Sequence, residues 1–111
     1  MVVGRAARRA ERAALVESVL GTTDASAGLD LLELTELAWH DCYGEVTPPD
    51  EVILNILICS RGKLAGMVQA AHLAVTDWRD LQLWADDVRS KEHVDARPAA
   101  SQVELPGSNE D

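Results

Sequence analysis

The side chains best able to bind a metal or move a proton gather in HDCYGEVTPPDE, residues 40 to 51, where His40, Asp41, Cys42 and Tyr43 precede a double proline and further acids. Cys59, His72 and His93 complete the set. A structural zinc site presents its ligands as tight pairs, C-x2-C or H-x3-H, because one turn must offer two of them to the same ion. His40 and Cys42 stand two apart, which on a helix turns them about 200° from each other. The spacing therefore predicts an inward Cys42 thiol, with His40 and Asp41 turned outward. A cysteine nucleophile needs a neighbouring base and an oxyanion site. No Cys and His pair, and no Ser, His and Asp set, can be assembled from the order of the residues. Gly62 and Gly66 with Lys63 fall short of a phosphate-binding loop. No catalytic residue, metal ligand or cofactor is assigned on these grounds. The alternative is a small enzyme or metal-binding domain organised around His40, Cys42 and His72.

Charge narrows the partners. The chain carries ten Lys and Arg against nineteen Asp and Glu, a net charge of -9. Arg5, Arg8, Arg9 and Arg12 make the first twenty residues basic, and no Lys or Arg follows until Arg61. Nine acids occupy that interval: Glu17, Asp24, Asp30, Glu33, Glu36, Asp41, Glu45, Asp50 and Glu51. Such a surface repels nucleic-acid backbones and anionic lipid, so neither nucleic acid nor membrane is an expected partner unless the Arg-rich N-terminus acts alone; the acidic surface serves either solubility or a basic protein partner. The helix–turn–helix pattern across residues 48 to 74 fails as a DNA reader, because after Lys63 the next basic side chain is Arg79. No run reaches the roughly 18 apolar residues of a membrane span, and Glu17 interrupts the only stretch that resembles an export signal. Two cysteines far apart do not make a disulfide framework, which points to reduced thiols and a cytoplasmic protein. Eight arginines against two lysines suggest a GC-rich, bacterial genome.

The elements that position these residues read as helices throughout. At 111 residues the chain is long enough to bury one core without staples. Residues 4 to 20 form an Ala-rich helix with Ala6, Ala10, Ala13, Val16 and Leu20 along one side and the arginines on the other. Residues 21 to 28 read as a loop. The next helix places Leu31, Leu34, Ala38 and Cys42 in one apolar row with Leu32 and Trp39 beside it, and Gly44 stops it. Thr47 offers an N-cap for a third helix, with Pro48 in its first position. VILNILIC also suits a strand, but no second strand exists to pair with it, and with Asn55 its only polar residue the helix should be buried nearly all round.

From Lys63 onward, Leu64, Met67, Ala71, Ala74, Trp78, Leu81, Ala85 and Val88 keep a heptad seam. This predicts one helix of about 40 Å, unless Thr76 and Asp77, good caps and poor interior residues, break it. Residues 1 to 94 make a single domain of four helices, or five if that break occurs. Residues 95 to 111 read as a mobile acidic tail, with Val103 and Leu105 as its apolar points.

Leu73, Leu83 and Trp84 fall off the seam, so either the bundle covers them from a second side or they meet another chain. Together with Glu33, Glu36 and Asp41 they form the candidate partner surface. The expected role is that of a small acidic interaction or regulatory protein that binds a protein partner or itself, as a homodimer in the second case.

Overall fold

In the computed structural model, which describes residues 4–95 with side chains as far as 91, every described element is a helix: α1 Arg5–Leu20, α2 Ala25–Tyr43, α3 Asp50–Ser60, α4 Leu64–Thr76 and α5 Trp78–Asp95. The tail from residue 96, with Val103 and Leu105, lies outside the described residues. Among the described residues the fold is thus an all-α bundle of five helices, the form expected if the long helix breaks.

The fifth helix comes from a break in the expected long one, and capping chemistry makes the break. Thr76 Oγ1 donates back to the His72 carbonyl at 3.0 Å, and Asp77 turns extended at φ -160°, ψ 86°. Its carboxylate then accepts the free backbone N–H groups of Arg79 at 3.2 Å and Asp80 at 3.3 Å, so that α5 starts on an aspartate cap. The seam survives on both sides of the break. Met67, Ala71, Ala74, Leu81, Ala85 and Val88 are all buried, while Trp78, at the break itself, is 37% exposed.

α3 packs on α4 and α5, and α4 also meets α2, so α3 and α4 carry the centre. Leu32, Ile56, Met67 and Leu81 are fully enclosed, each contributing about 2 kcal/mol by leaving water. As its composition suggested, α3 is buried on nearly every side, with Leu54 exposed among its apolar residues. Its start differs from the expectation. Pro49 is the N-cap and Asp50 the first helical residue, and the Thr47 hydroxyl is used elsewhere. Asp50 and Glu51 in the first turn complement the helix dipole.

Helix α2 is rotated from its expected face, and α1 keeps its expected side at Ala13, Val16 and Leu20 but departs from it toward its N-terminus; one interaction accounts for both departures. On α2 the inward row is Gly28, Leu29, Leu32, Thr35, Glu36 and Trp39, whereas Leu34 is 62% exposed and Cys42 is exposed too. On α1 the inward row is Val16 and Leu20 preceded by Arg8 and Arg12, whose side chains are only 12% exposed, while Ala6 and Ala10 face solvent. Glu36 on α2 sits between those guanidinium groups, and this pairing turns polar positions inward where hydropathy alone would turn them out. α1 rests chiefly on α2. They pack tightly at Gly28, where any Cβ would collide with Leu20 Cδ1 and stand 3.0 Å from Val16 Cγ1. α2 also begins earlier than expected, at Ala25, inside the stretch that read as loop. It ends at Gly44 in the left-handed conformation, φ 76°, with the Gly44 N–H on the His40 carbonyl.

Candidate functional site

The junction where α2 ends and α3 and α5 begin leaves an open cavity of about 470 Å³. The last turns of α2 supply Trp39 and Tyr43, with Glu45 just beyond. The first turns of α3 supply Glu51, Val52 and Asn55, and the start of α5 supplies Trp78 and Gln82. The groove thus holds two of the three tryptophans, the single tyrosine and two carboxylates, and no Lys, Arg or His lines it.

Each wall is held by a specific contact. The Trp39 and Tyr43 rings stand 4.3 Å apart at 49°, a tilted aromatic pair. Trp39 is buried, and its indole N–H donates to Glu45 Oε1 at 3.0 Å, which fixes the glutamate at the groove edge. The Tyr43 hydroxyl donates to the Val75 carbonyl at 3.2 Å, tying the end of α2 to the end of α4. Trp78 lies open beside them. The Arg79 guanidinium stands 5.4 Å from its ring centroid, a cation–π contact, although Arg79 does not line the groove. At the inner wall Asn55 is only 3% exposed, and its Oδ1 accepts a hydrogen bond from Arg89 Nη2 at 2.9 Å. This bond fixes the orientation of the amide, and its Nδ2 donates to no acceptor among the described residues.

None of the six residues proposed as a partner surface lines this groove. Glu36 is not a surface residue at all. Its side chain is 4% exposed, grips Arg8 through both oxygens, and accepts bonds from Arg12 at 2.9 Å and from the Thr47 hydroxyl at 2.9 Å. Burial pushes its carboxyl up, but the hydrogen bonds from Arg8 and Thr47 and the charges of Arg8 and Arg12 outweigh that and hold it below the usual carboxylate value. Glu33 is half-buried and pairs with Arg9 at 3.2 Å. Asp41 is exposed on α2. Leu73 and Trp84 are half-buried against the core, whereas Leu83 is 67% exposed.

The reactive-looking residues do not converge either. His40 and His72 are exposed, and His40 Nδ1 lies 3.3 Å from the Glu45 carbonyl. Among the described residues no group of three or more His, Cys, Asp and Glu is placed to hold a metal. Cys59 is the buried cysteine. Burial pushes its thiol up to about 11, partly offset by Arg89, so it stays protonated at neutral pH and is a poor nucleophile. No helix among the described residues is long and apolar enough to cross a membrane.

Sequence reasoning missed the groove because its parts come from three helix ends. Trp39 stood beside the apolar row, Trp78 within the seam, and Glu45 and Glu51 among nine acids. One signal was available: Asn55, a lone polar residue in an apolar run, marks where α3 meets something other than core. No family model matches this chain, and no curated protein and no solved structure matches it at a significant level, so its functional reading rests on the chemistry of this groove.

Proposed function

We propose that the chain is a non-catalytic binding module that holds a basic protein partner, with the groove between α2, α3 and α5 as the seat of contact. The observation that carries this reading is the groove's composition, aromatic walls with Glu45 and Glu51 at hand and no basic side chain among the lining residues. A cation that enters meets ring faces and carboxylates beside an apolar wall, where its attraction is screened less than in bulk water. The net charge of -9 supplies a longer-range field of the same sign that speeds encounter with a basic partner. Two free cysteines fit a reducing compartment, which supports a cytoplasmic role.

Calorimetric titration with a short Lys- and Arg-rich peptide tests the proposal. Binding that weakens as salt rises, and is absent for an acidic peptide of equal length, is the expected result. No binding at low salt would remove it. Self-association has one observation in its favour, the exposed Leu83 on α5. Light scattering that shows a strict monomer at high concentration would eliminate it.

A further inference from the structure

We infer that the groove recognises an arginine residue of an extended basic peptide, its guanidinium group against the Trp78 and Tyr43 rings beside Glu51 and its main-chain carbonyl on Asn55 Nδ2. The inference rests on the basic-partner reading and deepens it, and three observations converge on it. The first is the type of wall. A guanidinium ion is planar, weakly hydrated and stacks on aromatic faces, whereas an ammonium ion is compact and keeps its water. Trp78 already takes a guanidinium in this way from its neighbour Arg79, so the ring is suited to that chemistry within this molecule.

The second is the state of the two carboxylates. Glu45 holds the Trp39 indole N–H through Oε1, and Glu51 makes no ion pair among the described residues. Arg8, Arg9 and Arg12 are all committed to Glu36, Asp30 and Glu33, so the basic helix of this chain is engaged away from the groove.

The third is Asn55. A buried amide donor without an acceptor is costly unless something supplies one. Arg89 fixes its oxygen, so the Asn55 Nδ2 donor is left for an acceptor. A bare cation has none. A peptide brings a carbonyl with every residue, and an arginine residue brings the cation and the acceptor together.

The experiment is calorimetry on the full chain with three pentapeptides, Gly-Gly-Xaa-Gly-Gly with blocked ends, where Xaa is arginine, lysine or the neutral isostere citrulline. Ethylguanidinium serves as a fourth probe that lacks the main chain. The arginine peptide should bind about tenfold more tightly than the lysine peptide, and replacing Trp78 by leucine should erase that preference while leaving the melting temperature unchanged. Ethylguanidinium should bind about tenfold more weakly than the arginine peptide, having no partner for Asn55. Equal binding of the arginine and lysine peptides would overturn the inference and leave the basic-partner reading standing. Failure of both peptides, and of the longer basic peptide, would overturn both. Citrulline binding as well as arginine would show that charge is not read and would likewise overturn it. If Trp78→Leu abolishes a dimer seen by sedimentation and no peptide binds, the occupant is a second copy, and the arginine assignment falls.

Discussion

Glu36 and Glu51 belong to the same acid-only interval and have opposite fates. Glu36 points into the α1–α2 seam, where Arg8 and Arg12 close over it and Thr47 completes its hydrogen bonding. Glu51 stands at the first turn of α3 beside exposed aromatic surface and meets no cation among the described residues. The first carboxylate is spent on the fold, because a buried charge must be paired where it sits. The second remains available to a partner. An excess of acids therefore does not locate a binding surface by itself; the proposed one rests on a carboxylate that meets no cation among the described residues and stands next to apolar walls.

Stability should separate the two glutamates first and most strongly. Glu36→Ala leaves two guanidinium groups facing each other in a half-closed seam and should cost about 3 kcal/mol in urea denaturation, whereas Glu51→Gln should stay within about 0.5 kcal/mol of the parent. Similar losses for both would break the comparison. Trp84, which packs against the core, gives the next largest effect. Trp84→Ala should lower stability by about 2 kcal/mol and leave peptide binding unchanged; loss of binding without loss of stability would return Trp84 to the partner surface.

Acid titration sharpens the contrast further. Since the Glu36 carboxyl is held low in the folded state, the folded chain binds fewer protons there than the unfolded chain. Its contribution is complete above the ordinary glutamate value of about 4.3 and declines as pH falls below it, through the lower folded value. Urea melts at successive pH values should show this loss in the parent and not in Glu36→Gln. The smallest effect belongs to the exposed i,i+4 pair of Asp87 and Lys91, at 3.1 Å: Lys91→Ala should change stability by about 0.3 kcal/mol, close to the limit of measurement.

Much of the backbone was legible in the sequence. Gly44 could be read as a stop because a left-handed cap favours glycine, and α3 as a buried helix because its run had no strand to pair with. Asp86 with Arg89 and Asp87 with Lys91 sit at the spacings that make pairs, and they are paired. The rotation of α2 and the inward turn of Arg8 and Arg12 on α1 were hidden. Hydropathy assigns Leu34 and Cys42 inward and Glu36 outward, and only the partner helix, with arginines four apart at the matching height, reverses that order. The break at Asp77 was hidden in another way, since an unbroken heptad seam through Ala74 and Trp78 and the capping pair Thr76 and Asp77 between them make opposite claims on the same turn. Backbone groups that need partners outweighed one more seam contact, and Trp78 was left at the surface, where it became a wall of the groove. The groove itself could not be read from local pattern, because Trp39, Glu51 and Trp78 become neighbours only after three helix ends meet.

The three tryptophans provide the decisive measurement, since two line the groove and the third packs elsewhere against the core. In a proton–nitrogen NMR titration with a basic peptide, the indole N–H signals of Trp39 and Trp78 should shift together and saturate with one affinity while that of Trp84 stays in place. Movement of the Trp84 signal alone, or of none of the three while binding is detected by calorimetry, would contradict the account.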